Sequence, residues 1–266
     1  MTLKNFFLCG ILFLSGCSVN KARIDDSLKA HFTEYNMEGC FTFMNNKTGK
    51  VTVYNLALDT LRTLPAETFD VAASLIGLET GRANDEKMRL MLDTARVNSK
   101  NSNPSMEEAF RSGITPYFQE LVRRIGKDTL RLWLDSLHYG NAQIGETPDS
   151  CWLNNQLVIS PDEQLGLMKR LYFDQLPFQK RTQELVRDMM IRENDTRYTL
   201  AYKTGYGLDK ESKPVSWVTG WIEENKHPYF FTLLMKPGKA LSDSDKTGLE
   251  LLKKILTQYG FFKGVQ

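Results

Sequence analysis

Two groups of strand-like segments lie at opposite ends of this chain, and any fold must bring them together. Residues 198–204, 215–223 and 228–235 are rich in Val, Thr, Trp, Tyr and Phe and are separated by turn residues, the pattern of consecutive antiparallel strands. Far earlier, residues 40–44 and 51–55 flank the turn Asn45-Asn46-Lys47-Thr48-Gly49-Lys50 and read as a hairpin. Between them lie helical segments and one polar region over 82–103. The expected architecture is therefore α+β: an antiparallel β-sheet assembled from both ends, flanked by helices, with an all-helical subdomain beside it.

The helical part has clear punctuation. Ser105 with Glu108 and Ser160 with Glu163 have capping-box spacing, Pro116 and Pro161 suit first-turn positions, and helices are expected over 115–126, 128–137, 165–173, 178–192 and 245–259. Further helices are expected over 24–36, started by Asp25 or Asp26, and in a short piece around 87–96. Residues 64–81 read as the opening of a buried helix: Phe69, Ala72, Ala73, Ile76 and Leu78 form an apolar face, and Gly81 stops it. Its first turn carries Glu67 and Asp70, three apart and on one side. Acids there are ordinary helix stabilisers, so spacing alone assigns them no chemistry.

The first 17 residues place one cation, Lys4, before an apolar run over 6–14, followed by Ser15, Gly16 and Cys17. The run is too short to span a bilayer, and small residues ahead of a cysteine resemble the lipobox of bacterial lipoproteins. The expected organisation is a signal peptide over 1–16, a lipidated Cys17 with an N-terminal tether and helix over 17–37, and a domain over 38–266. Export follows, with anchoring in the bacterial cell envelope; the Ser18 that follows the anchor points to periplasm-facing outer membrane. Cys40 and Cys151 remain, and an oxidising compartment permits either a bond between them or two buried thiols.

Composition narrows the partners. With 34 Lys and Arg against 32 Asp and Glu and no basic run interleaved with aromatics, nucleic acid is not an expected partner. His31, His138 and His227 lie far apart, so no metal site is expected, and the absence of phosphate-binding glycine motifs leaves no cofactor implied.

Four stretches together resemble the class D (oxacillinase-type) serine β-lactamases and the related penicillin-sensing domains. They are Pro65-Ala66-Glu67-Thr68-Phe69-Asp70, Ser112-Gly113-Ile114, Tyr139-Gly140-Asn141 and Lys203-Thr204-Gly205, supported by Trp152-Leu153 and Trp217-Val218-Thr219-Gly220-Trp221. The resemblance implies the penicillin-recognising transpeptidase-like fold. It also implies a cleft in which a serine attacks the lactam, a carbamylated lysine one turn later acts as base, and backbone amides hold the oxyanion. Ser112, Lys203, Thr204 and Gly205 match the later roles, with Tyr206 beside them. Tyr139 and Asn141 match the third motif, and Trp152 matches the tryptophan that borders the base.

The first motif departs where the chemistry starts. Glu67 stands at the serine position and Asp70 at the lysine position, and neither can do its counterpart's work. Glu67 is expected to pair with Lys203 across the cleft, and no arginine is found near the last helix to grip a substrate carboxylate, only Lys236, Lys239 and Lys246. Four readings follow: a non-hydrolytic binder of β-lactams, stem peptides or another envelope ligand; a β-lactam hydrolase using a displaced nucleophile such as Ser112; a two-carboxylate hydrolase; or a structural protein with a vestigial pocket. Adjacent turns of one helix set carboxyls side by side, which disfavours the third. Oligomeric state has no signature in the sequence.

Overall fold

The computed structural model describes residues 22–92, 103–241 and 243–266. Its centre is a seven-stranded sheet: β1 (Arg23–Ile24), β2 (Met37–Asn45), β3 (Lys50–Tyr54), β4 (Ile191–Asn194), β5 (Tyr198–Leu208), β6 (Pro214–Glu224) and β7 (His227–Pro237), in the order β1-β3-β2-β7-β6-β5-β4. The decisive seam is β2 against β7, nine residue pairs from Met37↔Pro237 to Asn45↔Tyr229, which joins the two ends of the chain as expected. All pairings are antiparallel except β1 on β3.

One face of the sheet is covered by α1 (Lys29–Glu34) and α9 (Ser244–Gln258). Leu28, Phe32, Leu251, Leu252 and Ile255 pack there on Phe41, Val218, Ile222, Phe231 and Leu233. The other face carries α7 (Pro161–Tyr172), behind which lie α3 (Asp70–Glu79), α4 (Met106–Ser112), α5 (Thr115–Ile125), α6 (Lys127–Leu137) and α8 (Lys180–Met190). A short α2 (Leu56–Asp59) lies between β3 and α3. The axis of the helical layer is α3, whose residues from Asp70 to Gly77 are all buried. Leu121 of α5 comes so close that a Cβ on Gly77 would meet its Cδ1 at 2.9 Å. Both expected capping boxes form: Ser105 and Ser160 accept from the amides of Glu108 and Glu163, whose side chains return the bond.

Several expectations are corrected. Residues 24–36 are not one helix: Asp25 caps a 3-10 turn (Asp26–Leu28), α1 follows, and Arg23 and Ile24 are already in the sheet. The expected tether over 17–37 is thus integral to the domain from β1 onward. The expected helix over 178–192 ends at Met190, and its last residues become β4, an edge strand with a register shift. Residues 87–92 are not helical; Arg89 bridges to Ser105, and the rest of that expected helix lies outside the described residues. So do the signal peptide and Cys17. Cys40 and Cys151 are both buried and both free.

Candidate active-site cleft

The helix that carries the first motif starts differently from a regular α-helix. Ala66 is held at φ +49°, in the left-handed region, which costs an L-residue roughly 1–2 kcal/mol. A 3-10 turn (Ala66–Phe69) then leads into α3. The strain is held by the surroundings: the Ala66 amide donates to the Trp152 carbonyl at 3.2 Å, and Phe69 stacks on Trp152 with 4.9 Å between centroids. Against this turn lies β5. An added Cβ at Gly205 would meet Thr68 N at 2.9 Å, Glu67 N at 3.0 Å and Pro65 O at 3.1 Å, so only glycine lets strand and turn approach this closely.

The close approach fixes the two acids in different places. Glu67 lies at the cleft, where its Oε2 accepts the backbone N–H of Tyr206 at 2.7 Å and its Oε1 accepts the Thr115 hydroxyl at 3.3 Å. Asp70 is one turn deeper and fully buried. The expected partnership is therefore corrected: Lys203, itself 1% exposed, pairs with Asp70 at 3.1 Å and not with Glu67. Lys203 reaches from β5 to the buried Asp70, whereas Glu67 meets the backbone of the same strand at Tyr206. The ammonium also donates to the Thr204 carbonyl at 3.1 Å and sits 5.5 Å from the centre of the Phe110 ring. Neither Asp70 oxygen has a well-directed hydrogen bond among the described residues. Burial pushes the Asp70 pKa up, to about 7, against the pull of Lys203; the charge of Glu67 adds to the rise.

Around α3, Ser74 Oγ, Tyr139 OH, Trp152 Nε1 and Gln164 Oε1 are likewise buried without a hydrogen-bond partner among the described residues. Trp152 Nε1 would border a long base at position 70; the short Asp70 side chain, held to Lys203, does not bond it.

The cleft itself is a cavity of about 350 Å³ walled by Glu67, Ser112 and Gly113 on one side and Lys203, Thr204, Gly205 and Tyr206 on the other, closed at one end by Leu241, Asp243, Ser244 and Asp245. Six of the sequence-derived residues meet here: Glu67, Ser112, Lys203, Thr204, Gly205 and Tyr206. Four others do not line it. Asp70 lies beneath it, and Trp152 and Tyr139 are buried packing against Phe69. Asn141 clamps a neighbouring loop: its side chain donates to Gln156 O at 2.9 Å and accepts from Val158 N at 3.0 Å. Ser112 is exposed at the end of α4, and no base is hydrogen-bonded to it among the described residues.

The acids at the far end escaped the sequence analysis. Asp243 caps α9 by accepting the Lys246 amide at 2.9 Å, and Asp245 lies in the first turn. The signal was available in Asp243-Ser244-Asp245 ahead of an apolar helix, but nothing in it places that helix end at the cleft. Of the lysines considered for a carboxylate grip, Lys236 is tied to Asp209 at 3.6 Å. Three acids and one already paired lysine therefore line the cleft, a field that favours cationic over anionic groups.

A transpeptidase-like sheet with a motif-bearing helix under β5 defines a class, and comparison with known proteins agrees: residues 39–257 match the penicillin binding protein transpeptidase domain, and the chain belongs to that family. Among curated relatives, β-lactamase OXA-48 of Klebsiella pneumoniae is 31% identical over 236 residues, covering 87% of either chain. Among solved structures, the class D β-lactamase FUS-1 (OXA-85) of Fusobacterium nucleatum subsp. polymorphum superposes with a TM-score of 0.85 at 28% identity, over 92% of this chain and all of that one. The C-terminal domain of the Bacillus licheniformis BlaR penicillin-receptor gives 0.84 at 29% identity, over 91% of this chain and 97% of that domain.

Proposed function

We propose that this protein is a non-hydrolytic ligand-binding member of the class D β-lactamase-like group, carried as a lipoprotein of the bacterial cell envelope. One observation carries the reading: the Glu67 carboxylate, at the position of the attacking serine, accepts the Tyr206 amide at 2.7 Å. An oxyanion needs that donor free, and an attacking group needs a base beside it. Here the donor is taken by an anion of the chain itself, and Lys203 is engaged by Asp70 at 3.1 Å. The similarity to a penicillin-receptor domain supports binding without turnover as a role for this fold. The acidic lining favours an envelope ligand bearing an ammonium group, such as an amine of a peptidoglycan stem peptide, over an anionic β-lactam.

The test is direct. The chain is expected not to turn over a chromogenic cephalosporin and to take no stable mass increase from penicillin. Glu67→Ser with Asp70→Lys restores nucleophile and base together, and is expected to yield a penicillin adduct by mass spectrometry. Acylation of the unaltered chain that disappears on Ser112→Ala would overturn the proposal in favour of a displaced nucleophile.

A further inference from the structure

The sheet gathers its basic turns at one end. Asn45 ends β2 and Lys50 begins β3, so the turn carrying Lys47 lies at that end; the pairing Asn45↔Tyr229 brings the Asn225-Lys226 turn beside it, and Tyr198↔Glu224 brings the turn holding Arg197. The C-terminal segment joins them: the Asn225 side chain donates to the carbonyls of Gly264 and Gln266 at 3.1 and 2.9 Å, which places Lys263 there too. Because β1 runs parallel to β3, with Arg23 opposite Thr52, the chain also enters the fold from this end.

Arg23, Lys47, Lys50, Arg197, Lys226 and Lys263 are all exposed. Among the described residues only Arg197 is in an ion pair, with Asp195 at 3.1 Å. Of the acids nearby, Glu193 pairs with Lys253 at 2.6 Å, Glu224 is buried and accepts the Phe262 and Gln266 amides, and Asp25 accepts the Tyr259 hydroxyl at 3.0 Å, which leaves the exposed cations in excess. Arg23 and Lys50 share one groove of about 330 Å³ with Asp25, Tyr229 and Phe261, two cations against one carboxylate.

We propose that this basic end of the sheet is a docking surface for an anionic phospholipid bilayer, holding the domain against the membrane in a fixed orientation. The proposal rests on lipid attachment at Cys17. Only residues 18–22 separate Cys17 from Arg23, a tether of at most about 20 Å, so an anchored chain keeps these cations within reach of the headgroups. Basic side chains close to an anionic leaflet each gain about fivefold in partition. Docking there sets the cleft away from the bilayer: Lys203 and Tyr206 lie five and eight positions along β5 from Tyr198, about 17 and 26 Å from the basic end.

The test uses the full lipidated protein, extracted from membranes and placed in nanodiscs of phosphatidylcholine alone or with about one third phosphatidylglycerol. Amide exchange in residues 46–50, 195–197 and 225–227 is expected to slow at least about fivefold in the anionic discs while α3 is unchanged. The slowing is expected to vanish in K47E/K50E/K226E/K263E and, without any substitution, at about 1 M salt. Equal exchange in the two compositions, or slowing that survives both charge reversal and salt, overturns the surface. The mass of the N-terminal peptide reports the anchor separately. Unmodified Cys17 with slowed turns removes the anchor and supports the surface, whereas lipidated Cys17 without slowing keeps the anchor and overturns the surface.

Discussion

Asp70 brings an ionisable group into a fully buried position whose one ionic partner among the described residues is Lys203. Its pKa rises from 3.8 to about 7, mainly through burial, so between about pH 4 and pH 7 the folded chain keeps a proton that the unfolded chain has released. The stability tied to that proton is complete below about pH 4 and is lost as the pH climbs through 7. Asp70→Asn removes the titration while leaving Lys203 without its partner at every pH. The urea midpoint of the variant relative to the unaltered chain is therefore expected to rise from about pH 4 to about pH 8, and a flat difference would contradict the burial of this group. The residue types at 67 and 70 were legible from the sequence as losses of serine and lysine. Which of them meets Lys203 was not, because that depends on how β5 sits against the turn: the close approach at Gly205 puts Glu67 at the Tyr206 amide and leaves Asp70 beside Lys203.

The contact that shapes the cleft is between β5 and the turn that opens α3. A methyl group added at Gly205 would face three backbone atoms, Thr68 N, Glu67 N and Pro65 O, at 2.9–3.1 Å, and backbone cannot yield as a side-chain tip can. Gly205→Ala is accordingly expected to cost about 1–3 kcal/mol in denaturant unfolding and to lengthen the Tyr206 to Glu67 bond, seen as faster exchange of the Tyr206 amide. Capping boxes, the Gly49 turn and the three long C-terminal strands were readable because each is specified by neighbours in sequence. The edge elements were not. β1 has two residues and β4 four, too few to show a period, and both exist because a longer strand offers them an edge.

At the scale of the whole molecule, both ends of the fold close on the same region. Glu224, 1% exposed at the end of β6, is satisfied by the amides of Phe262 and Gln266, and Phe262 sits edge-on to Tyr198 with 4.9 Å between centroids. Deleting residues 262–266 leaves a buried carboxylate without these donors. The expected loss is about 1–3 kcal/mol or more, measured as a lowered urea midpoint; an unchanged midpoint would mean that the tail contributes no stability. The same closure puts the basic turns, the entry of the chain and its last residues together, which is the geometry behind the proposed bilayer surface.

By itself the sequence determined the long strands and capped helices, the α+β class, the family and the loss of the serine and lysine, since all of these are written in local period, capping residues and ordered motifs. Only the tertiary structure decided that Glu67 occupies the Tyr206 amide, that Asp70 lies against Lys203, and that Asp243 and Asp245 close the cleft. The reason is physical: each of those facts depends on which backbone passes close to which side chain between segments far apart in the chain, and close approach is set by packing of β5 and β6 on the turn that opens α3 rather than by any neighbour in sequence.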